Sequence, residues 1–259
     1  MINNIGKFRD KLASEQVCLG AGITFNDPIV TEALAPSVDF LWIDLEHSPI
    51  SMDSLIGHLT AARATGTPAL VRSPGSDVNV IKRIVDAGAE GLICPQVESA
   101  DEVRRVVDAC RYAPLGKRGW GPRRPSDYGR RTAEQTIREA NEELFVAVQI
   151  ENVHALEEVD QIAKIDGLDS LALGPYDLSL SLGHHGDFDH PVVKDAVRKI
   201  IDTAKAAGLY CGTGEEADAE SSVRWAQLGV QWIQTGGDFV YMIQAAEQLF
   251  AKIRESIDA

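Results

Sequence analysis

Eight short apolar runs, each ending in polar residues or glycine and each followed by residues at helical spacing, constrain this chain most. They cover 17–23, 40–49, 68–72, 91–96, 144–151, 170–177, 208–214 and 230–238. The intervening patterns predict helices over about 28–34, 52–65, 77–86, 99–110, 153–162, 192–207, 217–228 and 239–257. Strands covered on both faces read as continuous apolar runs, because neither face meets water. Eight βα units in succession predict a (β/α)8 barrel, the TIM-barrel class of α/β fold. A doubly wound open sheet fits the local pattern too, but no G-x-G-x-x-G follows the first run.

No stretch rich in proline, glycine or serine divides the 259 residues, which predicts one barrel domain over 1–259. One irregular insertion interrupts the alternation, at about 111–141. Residues 1–16 mix charges with Ile5, Phe8 and Leu12, the pattern of a short amphipathic helix and not of a signal peptide. No run approaches the roughly 18 apolar residues of a membrane span, so the expected location is cytoplasmic. The formal charge of −14 argues against nucleic acid or an anionic membrane as the main partner. Cys18, Cys94, Cys110 and Cys211 form no C-x-x-C pair and read as buried free thiols.

In a parallel barrel the C-terminal ends of all strands converge on one mouth, where catalytic groups gather. The polar residues at those ends are Asp44, Glu46 and His47 from the second run, Arg72 from the third and Gln96 from the fourth. The fifth gives Gln149 and Glu151, and the sixth Asp177. Glu151 and Asp177, from adjacent strands, suffice for a magnesium-like cation, which keeps waters and substrate oxygens as its remaining ligands. Manganese or cobalt suits the same donors. Glu151 also fits a plain helix-start acid.

Ile43–Asp44–Leu45–Glu46–His47, Val71–Arg72, Gln149–Ile150–Glu151 and Gly174–Pro175–Tyr176–Asp177–Leu178–Ser179 stand in one order along the chain. With Arg118–Gly119 and His190–Pro191, they resemble the metal-dependent (class II) pyruvate aldolases typified by 4-hydroxy-2-oxoheptanedioate aldolase. The resemblance spans nearly the whole chain. It implies a lyase that forms pyruvate or hydroxypyruvate and an aldehyde from a 4-hydroxy-2-oxo acid, with Mg²⁺, Mn²⁺ or Co²⁺ as cofactor.

Glu151 and Asp177 would hold the metal by this likeness. Gln149 and the N–H groups around Tyr176 and Asp177 would receive the 2-oxo acid. His47 is implied as general base, acting through a water on the metal, and Arg72 as the group facing the developing oxyanion. Asp86 matches the residue implied to raise the histidine's basicity, and Asp44 is a second candidate for orienting it. Glu46 is given only a supporting place behind these groups. Tyr176 stands where the family commonly has a smaller residue. The resemblance also implies a homo-oligomer, commonly a hexamer with its last helix exchanged between subunits.

Several features point elsewhere. The insertion carries Lys117, Arg118, Arg123, Arg124, Arg130 and Arg131 beside Trp120 and Tyr128. In so acidic a chain this predicts a substrate-receiving loop over the mouth, or a subunit contact, before a nucleic-acid surface. Gly212–Thr213–Gly214 and Gly236–Gly237 read as tight turns before a phosphate site. His184–His185 and His190 lack the spacing of a zinc set, and His190 is expected to open a helix. Two alternatives stand beside the aldolase: a citryl- or malyl-CoA-type lyase, and a barrel that binds metabolites without catalysis.

Overall fold

Gly20, Gly91 and Gly212 set the bore of this molecule. In the computed structural model, which describes residues 4–258, a Cβ at these positions would lie 2.4, 2.3 and 1.9 Å from Phe40, Leu70 and Trp232 side-chain atoms. The strands around that bore close in the order β1 to β8, all parallel.

In chain order the elements are α1 (Ile5–Ala13), β1 (Cys18–Ile23), α2 (Pro28–Leu34), β2 (Phe40–Asp44), α3 (Met52–Thr65), β3 (Ala69–Arg72), α4 (Val78–Asp86), β4 (Gly91–Cys94) and α5 (Ala100–Cys110). Then come α6 (Ala133–Glu142), β5 (Phe145–Ile150), α7 (Val153–Glu157), α8 (Val159–Ile162), β6 (Ser170–Leu173), α9 (Pro175–Ser181), α10 (Pro191–Ala206), β7 (Tyr210–Glu215), α11 (Ala219–Leu228), β8 (Trp232–Gly237) and α12 (Asp238–Ile257). All eight predicted strands form, and the (β/α)8 class is the one observed.

Alternation along each strand divides the side chains between two cores. Phe40, Trp42, Leu70, Ile93, Phe145, Ala147, Ala172 and Trp232 fill the barrel interior. Leu41, Ile43, Val71, Leu92, Val146, Val148, Leu171 and Ile233 face the helices. The amphipathic α1 plugs the end where the strands begin: Phe8 meets the Phe40 and Phe145 rings edge-on, both at 5.2 Å between centroids. Fully burying each of these phenylalanines contributes roughly 1.5–3 kcal/mol. Ser51, Asp77 and Ser99 cap α3, α4 and α5, accepting backbone N–H groups of the first turn. His190 caps α10 as expected. All four cysteines are free and buried.

Two expectations about the insertion need correction. Its last part is a helix, α6, begun by a reciprocal Thr132–Gln135 capping box that is visible in the sequence as T-A-E-Q. Its basic part does not cover the mouth of its own barrel. Arg124 donates to Thr60 Oγ1 of α3 at 2.9 Å, and its side chain lies against Gly88. Arg118 Nη2 donates to Asp86 Oδ1 at 2.6 Å, with its guanidinium 4.8 Å from the Tyr112 ring centre. Helices return from strand ends to strand beginnings, so the end of α4 and everything packed on it lie opposite the mouth.

Beyond its first turn, the last helix is largely uncovered by its own barrel. Only Asp238 of α12 is buried, while Phe239, Met242, Ile243, Leu249, Phe250, Ile253 and Ile257 are exposed. Among the described residues no helix is long and apolar enough to cross a membrane.

Candidate active site

The mouth is built mainly by β2, β3 and β5. Asp44 and Arg72 are register partners on β2 and β3, so their inward side chains stand side by side. Arg72 donates from Nε to Asp44 Oδ1 at 2.9 Å and from Nη2 to Asp44 Oδ2 at 2.6 Å, a two-pronged charge-assisted contact. Burial alone would raise the Asp44 carboxyl. The Arg72 hydrogen bond and charge outweigh burial and, with the N–H groups of Glu46 and His47, hold it below the usual carboxylate range. The same Asp44 Oδ1 accepts those two N–H groups at 2.9 and 3.4 Å, which fixes the turn that carries them. The guanidinium also lies 5.5 Å from the centre of the Trp42 ring below it.

Glu46 joins Arg72 and His47. Its Oε2 is 3.2 Å from Arg72 Nη1 and 3.5 Å from His47 Nε2. Half-burial, reinforced by Asp44 and Asp177, raises the Glu46 carboxyl despite the opposing charges of Arg72 and His47. The imidazole stands at the rim, 65% exposed. Of the two carboxylates expected behind His47, neither meets the ring, although Asp44 orients the turn that carries it. Asp44 is taken by Arg72, because fork and carboxylate meet at one level of adjacent strands. Asp86 is held by Arg118 at the far end of the barrel. Glu46, given only a supporting place from the sequence, is the carboxylate beside the ring.

Across the mouth, Gln149 and Glu151 project inward two residues apart from the end of β5, both almost fully buried. Gln149 Nε2 donates to Glu151 Oε2 at 2.9 Å, and Gln149 Oε1 is buried with no hydrogen-bond partner among the described residues. Glu151 Oε1 accepts the backbone N–H of Gln96 at 2.5 Å. Gln96 holds a left-handed φ of 55°, an uncommon conformation for a residue with a side chain. The sequence singled out Gln96 as a mouth residue, but its contribution to Glu151 comes from the backbone. Burial pushes the Glu151 carboxyl up to about 7, and the charges of Asp177 and Glu46 add to the rise.

Gly174 leaves the space that Glu151 occupies, since a Cβ there would lie 2.2 Å from Glu151 Oε2. Asp177 and Tyr176 are exposed in the first turn of α9, with Tyr176 edge-on to Phe188 at 6.4 Å. Among the described residues no three His, Cys, Asp or Glu side chains cluster as a metal-binding set. A two-carboxylate site completed by substrate and water oxygens suits the donors present. A buried carboxylate that pairs with no Lys, Arg or His side chain among the described residues, and an unpaired amide oxygen beside it, are the features that fit such an ion.

Comparison with known proteins agrees with the barrel fold. The family model described as HpcH/HpaI aldolase/citrate lyase matches residues 24–245. A hydroxypyruvate/pyruvate aldolase from Cupriavidus necator is 34% identical over 251 residues, covering 96% of this chain and 92% of that protein. A 5-keto-4-deoxy-D-glucarate aldolase from Salmonella paratyphi C is 35% identical, over 90% of both chains. The crystal structure of a family protein from Burkholderia cenocepacia superposes with a TM-score of 0.88 at 30% identity, covering 95% of this chain and 98% of that one. On sequence and barrel alike, this chain belongs to the HpcH/HpaI aldolase/citrate lyase family.

Proposed function

We propose that this protein is a divalent-metal-dependent aldolase. It would reversibly cleave a 4-hydroxy-2-oxo acid to pyruvate or hydroxypyruvate and an aldehyde. The Gln149–Glu151 pair carries this reading: a buried carboxylate pushed toward neutrality beside an unpaired amide oxygen, facing an arginine fork across the mouth. Family membership and the aldolase relatives support it.

Glu151 and Asp177 would hold Mg²⁺, Mn²⁺ or Co²⁺, and Gln149 Oε1 would face the same space. When bound, the cation supplies Lewis-acid stabilisation of negative charge on substrate oxygens. His47, at the rim, takes the proton of the 4-hydroxyl. The C3–C4 bond then breaks, its electron pair forms the pyruvate enolate, and the aldehyde departs. The His47 imidazolium returns that proton to the enolate at C3, which completes the cleavage. Arg72 presents a fixed positive charge to the oxygens that gain charge, and its fork on Asp44 keeps it from reorganising during the step. Glu46 holds the imidazole beside that guanidinium. The first N–H groups of α9, at Tyr176 and Asp177, have no intrahelical acceptor and suit the substrate carboxylate.

The exposed stripe on α12 supports a homo-oligomer, a hexamer by resemblance, in which this helix packs on a neighbouring copy. Light scattering would test that reading, and a monomer would rule it out. The catalytic reading is tested by exchange of the pyruvate methyl protons in deuterium oxide. Exchange is expected with Mn²⁺ and not with EDTA, and a protein that binds pyruvate yet exchanges nothing with Mn²⁺ present is not this aldolase.

A further inference from the structure

Glu151 is held at both oxygens. Gln149 Nε2 donates to Oε2, and the backbone N–H of Gln96 donates to Oε1 at 2.5 Å. The first contact follows from two-residue alternation on β5. The second exists only because Gln96 takes its left-handed φ of 55°. A residue with a Cβ adopts that conformation at a cost and keeps it where its surroundings impose it. The Gln96 side chain is exposed, so the constraint comes from its neighbours.

The 95–98 turn is fastened on both sides. The Glu98 N–H donates to Glu102 Oε2 of α5 at 2.8 Å, and the Val97 side chain is fully buried. The Val97 carbonyl accepts Asn152 Nδ2 at 2.9 Å. Asn152 follows Glu151 directly, and its Oδ1 caps α7 by accepting the Ala155 N–H at 2.9 Å. A second tie runs between the same segments: Glu158 Oε2, at the junction of α7 and α8, accepts the Ala100 N–H at 2.7 Å. Serine, threonine or aspartate would cap α7 as asparagine does. Of these, only asparagine accepts with one side-chain atom and donates an N–H from another. Capping explains the Oδ1 contact and leaves the Nδ2 contact to a second purpose.

Resting on the aldolase reading above, in which Glu151 is a metal ligand, we propose that Asn152 is a positioning residue for that carboxylate. Its amide nitrogen ties the Val97 carbonyl to the end of β5, which keeps Gln96 left-handed and its N–H on Glu151 Oε1. The direction of the carboxylate is thereby set before a cation binds.

The test titrates metal-free protein with Mn²⁺, reading the free ion by electron paramagnetic resonance. Amide hydrogen exchange over residues 95–98 is measured before metal is added. Asn152→Ser keeps a capping oxygen and loses the N–H donor. It is expected to weaken Mn²⁺ binding about 5- to 30-fold, the scale on which left-handed backbone is disfavoured for a residue with a Cβ. Exchange at Gln96 should quicken while the α7 amides keep their protection. Asn152→Asp, the same shape without the donor, replaces the serine variant if that one does not fold. Its added negative charge favours a cation, so weaker binding there has no electrostatic cause. Adding Gln96→Gly to the position-152 variant is expected to recover most of the affinity, because glycine takes a left-handed φ without steric cost. A merely structural role for Asn152 would gain nothing from glycine at 96. Unchanged Mn²⁺ affinity in the position-152 variant, or no recovery in the double variant, overturns the role of Asn152. Failure of the unaltered protein to bind Mn²⁺ overturns the metal assignment, and this inference with it.

Discussion

Asp44 and Arg72 face each other across β2 and β3 through two hydrogen bonds of 2.9 and 2.6 Å, and this pair organises the charged half of the mouth. The carboxylate also accepts the N–H groups of Glu46 and His47, so one side chain fixes both the guanidinium and the turn bearing the imidazole. Removing either partner leaves the other charge poorly compensated in a largely buried setting.

Arg72→Lys keeps the charge but loses the fork, because an ammonium cannot meet both Asp44 oxygens in one plane. Aldol cleavage is expected to fall about 10²- to 10³-fold, the scale of losing a preorganised oxyanion donor. Steady-state kcat is the measurement, and full activity in the lysine variant would remove Arg72 from the proposed role.

His47→Ala is expected to slow pyruvate methyl exchange about 10²- to 10⁴-fold, as for loss of a general base. Glu46→Gln should slow it less, since the imidazole remains and only its contact at 3.5 Å is weakened. If the glutamine variant lost more than the alanine variant, Glu46 and not His47 would be the proton-transfer group.

EDTA is expected to abolish exchange and Mn²⁺ to restore it. Gly174→Ala would drive a methyl into Glu151, whose Oε2 stands 2.2 Å from that position. The variant should need about 10- to 100-fold more Mn²⁺ for half-maximal exchange, as when the groups that orient a metal ligand are disturbed. An unaltered Mn²⁺ requirement would argue against Glu151 as a ligand.

At the opposite end of the barrel, Glu90 accepts the N–H groups of Asn4 at 2.7 Å and Ala69 at 3.1 Å. Burial pushes its carboxyl from an ordinary 4.5 to about 7, against the lowering effect of those hydrogen bonds. The folded state thus holds a proton that the unfolded chain releases. The stabilising contribution is full below the ordinary range and is lost as pH rises through about 7. The loss is on the order of 3 kcal/mol. Thermal unfolding between pH 5 and 8 should show this slope, and Glu90→Gln should flatten it. An equal slope in the variant would place the effect elsewhere.

The sequence by itself determined the barrel. Eight runs apolar on both faces, with helical spacing between them, leave few ways to bury that surface other than a closed parallel sheet. It also determined which strand ends carry ionisable groups, since Asp44, Arg72, Gln149 and Glu151 each stand at the end of a run. What it could not give was partnership. Asp44 was as available to His47 as to Arg72 until register put it level with Arg72 on the next strand. Asp86 and the basic insertion looked like parts of the mouth until the return of α4 carried them to the far end. Periodicity is a local property of the chain and can be read from it. Which charge neutralises which depends on contacts between residues far apart in sequence, and only the closed barrel fixes those.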